Sequence, residues 1–254
     1  MQPIEELTMR NHQEKKAEDL HYLKASDMHP ADTYFHFSFA NYYDPKNMNY
    51  GVLRVLNDDN VKPHNGFDTH PHSEMEIFSY VVDGKLTHRD SAGNHEVLSR
   101  GDAQCISAGT GVTHSELNEQ DDWCRFLQIW IIPESRGLPV RYDLHRFSPE
   151  DRENKLLRII SSAANRDGAS LYVCQDINVY VSELTDSGAR VSYVLSENCQ
   201  AYIYCFEGGV DIEGRPSLAE RDSLRVRGHA SLEFSLAADK AHFIIIEMPL
   251  EASA

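Results

Sequence analysis

Three imidazoles and a carboxylate stand in two pairs in this chain: His70-Pro71-His72 and, with forty-one residues between His72 and His114, His114-Ser115-Glu116. Each pair is spaced i, i+2. In a β-strand that spacing puts both side chains on one face. Two neighbouring strands could therefore aim His70, His72, His114 and Glu116 at a single point. Three neutral imidazoles and one carboxylate suit a borderline divalent ion (Fe, Mn, Co, Ni, Cu or Zn) and not calcium or magnesium. Glu76 is a rival for the carboxylate's place. On a regular strand it shares the face of His70 and His72, and spacing alone does not choose between it and Glu116. A His-x-His pair by itself says little in a chain of 13 histidines. Its weight has to come from the surrounding sequence.

The elements that must position these residues read as β-structure. From Leu20 to about Ile132 short apolar runs alternate with turns. The runs include Tyr34-Phe35-His36-Phe37, Gly51-Val52-Leu53-Arg54-Val55-Leu56, Glu76-Ile77-Phe78-Ser79-Tyr80-Val81-Val82 and Arg125-Phe126-Leu127-Gln128-Ile129-Trp130. Asp83-Gly84, Ala92-Gly93-Asn94 and Arg100-Gly101-Asp102 punctuate them, the signature of a sandwich or barrel. A second region of the same texture runs from Ser170-Leu171-Tyr172-Val173 to Phe243-Ile244-Ile245-Ile246, so two β-barrels in tandem are expected. Between them Ser148-Pro149-Glu150-Asp151 could cap a short helix. Leu156-Leu157-Arg158-Ile159-Ile160 fits helix or strand equally. Residues 1–19, polar and rich in Glu and Lys, are expected to be a frayed helix or a disordered extension.

Composition excludes several classes of function. The 41% apolar and 25% charged content is that of a soluble globular protein. No run approaches the roughly 18 apolar residues that would span a bilayer, and Met1-Gln2-Pro3-Ile4-Glu5-Glu6 shows no basic region before an apolar core, so neither secretion nor membrane insertion is expected. A formal charge of -16 argues against a nucleic-acid partner held through phosphates. Cys105, Cys124, Cys174, Cys199 and Cys205 are odd in number and lack any C-x-x-C pair. They are expected to be free thiols in a reducing cytoplasm, packed into apolar runs.

The context of the histidines is specific. Gly66-Phe67-Asp68-Thr69-His70-Pro71-His72-Ser73-Glu74-Met75-Glu76, closing near Gly84, resembles the first cupin signature. Ser107-Ala108-Gly109-Thr110-Gly111-Val112-Thr113-His114-Ser115-Glu116-Leu117-Asn118 resembles the second, without its usual proline. With Phe37-Ser38-Phe39-Ala40-Asn41-Tyr42-Tyr43-Asp44-Pro45, Leu53-Arg54-Val55-Leu56-Asn57-Asp58-Asp59 and Asp90-Ser91-Ala92-Gly93-Asn94, the chain resembles the pirin family of bicupins. Bacterial members with quercetinase activity look most similar. The resemblance is dense to about Trp130 and thin afterwards.

That resemblance implies an all-β fold of two tandem cupin (jelly-roll β-barrel) domains: a polar extension over 1–19, a metal-binding cupin over 20–140 and a C-terminal cupin without metal ligands over 141–254. It implies one divalent transition ion, iron first among the candidates, held by His70, His72, His114 and Glu116. Glu76 would then be a partner that orients a ligand imidazole. Four ligands on an ion that can take six leave room for substrate and dioxygen. The activity implied is oxidative ring cleavage of a flavonol with release of carbon monoxide, Glu116 serving as the base. The alternative is a metal- or redox-sensing regulator working through a protein partner. A cytoplasmic monomer is expected. His229 and His242, without a partner at i±2, leave the second barrel a scaffolding or partner-binding role. His88, His95 and His145 read as surface residues, Phe35, Phe37 and Phe39 as one core-facing stripe, and Asp58-Asp59 and Asp121-Asp122 as solvated turn charges.

Overall fold

The computed structural model describes residues 11–166 and 168–250. The chain forms two β-barrels packed face to face. In the first, a seven-stranded sheet in the order Arg141–His145, Ala103–Ser107, Glu76–Asp83, Cys124–Ile131, Leu53–Val61, Ala31–Phe35 and His21–Leu23 faces a four-stranded sheet. The smaller sheet runs Asn65–His72, Val112–Asn118, Lys85–Asp90 and His95–Ser99. The second barrel is one nine-stranded sheet bent around its own core. Its longest members are Cys199–Ile212 and Ala230–Pro249, which pair antiparallel with register shifts at Cys205/Glu207 and Gly208/Val210. Such bulges let a long strand bend round a barrel.

Period-two alternation explains how strands with near-continuous apolar sequences serve two layers. In Glu76–Asp83, Phe78, Tyr80 and Val82 point out to the second barrel, whereas Ser79 points into the first. In Cys124–Ile131, Leu127, Ile129 and Ile131 point out, and Gln128 and Trp130 point in. Tyr202, Tyr204, Phe206, Ile244 and Ile246 answer from the other side, so one apolar cluster joins the two barrels. The second barrel is filled by aliphatic and aromatic side chains such as Ile203, Leu224, Phe234 and Phe243. The first carries Ser79, Gln104, Gln128 and Glu116 inside. A polar interior is a costly thing to bury unless each group has a partner, and it marks where the chemistry sits.

Two expectations need correcting here. His12–Lys15 is a strand paired with Ser223–Arg227, followed by a short 3-10 turn over Ala17–Asp19, so this stretch is built into the second barrel and is not a frayed extension. Residues 1–10 of that expectation lie outside the described residues. Asp58 and Asp59 lie within the strand Leu53–Val61 and are 1% and 2% exposed, which makes them buried groups and not solvated turn charges. Asp121 and Asp122 are exposed, as expected. The Ser148 capping box does start a short helix, Pro149–Arg152. Leu157–Ser162 resolves as a strand, because it fills the space between Asn178–Leu184 and Leu171–Val173.

Candidate metal centre

Asn65–His72 is the outer strand of the four-stranded sheet, an edge that tolerates Pro71, which has no N–H to give a ladder. Its neighbour Val112–Asn118 pairs His114 directly with His70 and Val112 with His72. Gly109 makes the approach to that neighbour. Its φ of +41° and the Leu138 carbonyl 1.9 Å from where a Cβ would stand admit no other residue without rearrangement.

The register then slips: Glu116 faces Phe67, and one extra residue sits in the outer strand at Asp68-Thr69. The bulge leaves the Asp68 carbonyl to accept a hydrogen bond from His70 Nδ1 at 2.7 Å. With its proton on Nδ1, His70 presents the Nε2 lone pair inward, as a metal ligand must. His70 Nε2 and His114 Nε2 are 3.2 Å apart, and the three ring centroids of His70, His72 and His114 lie 4.6–4.8 Å from one another. Each can offer a nitrogen within 4.8 Å of the other two. Burial, with the neighbouring imidazoles adding, lowers His72 to about 4 and His114 to about 3, so both are neutral ligands at neutral pH. Buried His114 Nδ1 has no hydrogen-bond partner among the described residues. The donor set fits a transition ion.

Glu116 does not join that close group. The bulge turns it towards the barrel interior, where Ser79 Oγ donates to its Oε1 at 2.6 Å and Gln104 Nε2 at 2.8 Å, while Gln128 Nε2 donates to Oε2. Tyr142 Oη in turn donates to Gln104 Oε1 and fixes that amide. The expectation for Glu76 does not hold. The chain leaves the small sheet at Ser73–Met75, with Glu74 at φ +53°, so Glu76 starts a strand of the opposite sheet. Its carboxylate accepts from Ser107 Oγ and the Cys174 amide and touches no ligand imidazole.

His70 and His72 open on a cavity of about 600 Å3, within the range that holds a drug-sized molecule. Trp130 stands edge-on to His72 with centroids 4.8 Å apart, and Phe39 edge-on to Trp130 at 5.1 Å. Phe35 and Phe39 line this cavity and only Phe37 joins the inter-barrel core, so the predicted stripe is divided. His88 is another correction: it is fully buried, stacked on Tyr142 and bonded to Asp90, 5.5 Å from the His114 ring. His95 and His145 are exposed. Asn57, Asp59, Gln128 and Trp130 were not picked out by sequence reasoning. The available signal was polar residues at alternate positions in otherwise apolar strands.

In the second barrel His242 is not partnerless. With Glu183 and Glu207 it forms a second close group of potential ligand atoms. Arg100 and Lys240 already donate to those carboxylates, so the group is an ion-pair network joining the barrels.

A pirin family model matches residues 13–131, and a model of the quercetinase C-terminal cupin domain matches residues 159–248. The pirin-like protein of Caulobacter vibrioides is 37% identical over 84% of this chain and 90% of its own length. The chain belongs to the pirin family. Another relative, named quercetin 2,3-dioxygenase, comes from Escherichia coli and is 41% identical over 72% of this chain and 77% of its own. The crystal structure of the E. coli bacterial pirin YhhW in complex with nickel(II) superposes with a TM-score of 0.83 at 33% identity, covering 94% of this chain and 99% of that one. The bicupin architecture is therefore that of the pirins. No helix among the described residues is long and apolar enough to cross a membrane.

Proposed function

We propose that this pirin is a metal-dependent dioxygenase of the quercetinase type. It opens the heterocycle of a flavonol, or of a similar enolic aromatic, with dioxygen and releases carbon monoxide and a depside. The observation that carries this reading is a close group of three imidazoles, two of which, His70 and His72, line an aromatic-walled cavity of about 600 Å3. His70, His72 and His114 would hold one divalent transition ion, and Glu116, turned away from them towards Ser79, Gln104 and Gln128, would join as the carboxylate ligand by swinging off those donors. When bound, the ion supplies Lewis acidity towards the substrate's enol oxygen and the redox chemistry that dioxygen needs.

The chain's own residues supply the rest. Trp130 and Phe39 offer flat apolar faces to a planar ring system. Glu116, on the cavity wall, is the base for the substrate hydroxyl. Gln128 donates to Glu116 Oε2, and by turning its amide over it can accept from the same oxygen once that carries a proton.

Oxygen uptake should accompany quercetin loss one for one when the metal-loaded protein is mixed with quercetin. The double variant His70→Ala, His114→Ala should lose both signals together with bound metal. Unchanged activity in that variant would overturn the site. Failure of iron-, nickel-, cobalt-, manganese-, copper- and zinc-loaded protein to consume oxygen would overturn the reaction.

A further inference from the structure

A second polar feature lines the same cavity, on the inner face of the strand Leu53–Val61, and the base assigned above does not use it. Asp59 and Asn57 stand there two residues apart, 2% and 4% exposed. Asn57 Oδ1 has no hydrogen-bond partner among the described residues, and Asp59 Oδ1 accepts from Thr33 Oγ1 at 2.5 Å. Thr33 Oγ1 lies 2.9 Å from His29 Nε2. His29, Thr33 and Asp59 all line the cavity, and only His29 is partly exposed. An unbroken hydrogen-bonded line thus runs from the cavity wall to its rim.

We propose that Asp59, Thr33 and His29 form a proton relay that takes the proton of a bound hydroxylated aromatic from the cavity to solvent. The proposal rests on the ring-cleaving function assigned above. Thr33 occupies Oδ1, which leaves Oδ2 to a ligand.

A second ligand hydroxyl, not the one served by Glu116, gives its proton to Asp59: the ligand's O–H bond breaks and a carboxyl O–H forms. The chain of bonds then reverses. The carboxyl turns over so that its O–H faces Thr33 and donates its proton to Thr33 Oγ1, the Thr33 hydroxyl hydrogen passes to His29 Nε2, and His29 releases its Nδ1 proton to water. One proton enters, one leaves, and no electrons move. A threonine suits the middle place because its hydroxyl donates and accepts at once.

The groups are poised for such traffic. Burial, with Asp58 and Glu116 adding their negative charge, pushes the Asp59 carboxyl up to about 7 against the pull of Thr33. Asp58 turns away to Arg125, and Glu116 stands on Val112–Asn118. Burial pulls His29 down, with Asp32 opposing and Lys62 adding to the fall. The Asp59 end can therefore exchange a proton near neutral pH, and the lowered His29 readily gives its proton up to water.

The test uses the whole protein and two readings. In the metal-free protein, infrared difference spectroscopy across a pH titration should show a buried protonated carboxyl that ionises near neutral pH. That band should vanish in Asp59→Asn and shift in Thr33→Val. In metal-loaded protein, both variants should bind quercetin (followed by quenching of tryptophan fluorescence) within about twofold of the parent. Their kcat should fall roughly 10²-fold, the usual worth of a positioned acid or base, and Asp59→Asn should lose the pH dependence near neutrality. Absence of the carboxyl band, or a band indifferent to Thr33→Val, overturns the relay. So does full turnover in Asp59→Asn. If the parent shows the coupled band but consumes no oxygen with quercetin, the relay stands and the flavonol reading falls.

Discussion

Replacing Arg125 with methionine should be among the most damaging single changes outside the metal site. Its guanidinium donates to both oxygens of Asp58, from Nε at 2.8 Å and from Nη2 at 2.6 Å, and to the Phe206 carbonyl of the second barrel at 2.7 Å. Tyr204 Oη adds a bond to Asp58 at 2.6 Å. Burial alone would raise the Asp58 carboxyl, but the bonds and charge of Arg125, with help from Arg221 and Tyr204, outweigh it and hold the group below the usual carboxylate range. Asp58 is 1% exposed. Arg125→Met leaves that carboxylate with Tyr204 and the more distant Arg221, so the loss should fall at the lower end of the range for breaking a buried pair, about 3 kcal/mol.

The double variant Arg125→Met, Asp58→Leu removes both charges and should recover all but about 1 kcal/mol of that loss. The pH dependence has a definite sign. A depressed folded pKa stabilises above the unfolded value of about 3.9 and is lost as pH falls through the folded one. Urea unfolding should thus show a larger cost for Arg125→Met at pH 7 than at about pH 3.5. A cost under about 1 kcal/mol at pH 7, or equal costs at both pH values, would refute the reasoning.

Other expectations are more local. His114→Ala should fail to retain nickel or iron through dialysis, read by elemental analysis, whereas His95→Ala, at an exposed position, should retain it. Gly109→Ala, forced into φ +41° against the Leu138 carbonyl, should cost about 2 kcal/mol or more in urea unfolding. Trp130→Ala should raise the quercetin dissociation constant by roughly tenfold or more, read from tritration of flavonol absorbance, as expected for loss of a stacking wall. Gln104→Leu removes one donor to the Glu116 carboxylate and should lower stability by about 1.5–3 kcal/mol.

Much of the fold was legible because strand periodicity and turn glycines are local signals. The pairing of His70 with His114 followed from i, i+2 spacing on neighbouring strands, and the structure brings those imidazoles together. What spacing could not show was the slip at Asp68-Thr69, an irregularity that separates Glu116 from the imidazoles and orients His70. The turn at Glu74 was hidden for the same reason, and with it the removal of Glu76 to the other sheet. Asp58 and His88 were misread because polarity predicts exposure only when no partner is available. Arg125 and Tyr142 supply those partners from distant parts of the chain.

The strand His12–Lys15 has a consequence for synthesis. Its partner, Ser223–Arg227, lies 208 residues further along, counting from Lys15 to Ser223. At about 5–20 residues per second a ribosome needs roughly 10–40 s to make that stretch. Throughout that time the first barrel can close behind a tether that has no edge to join. The hydrogen bonds that seal this edge of the second barrel therefore join a segment to a partner made long after it, and until they form the open edge is the surface a chaperone would have to guard.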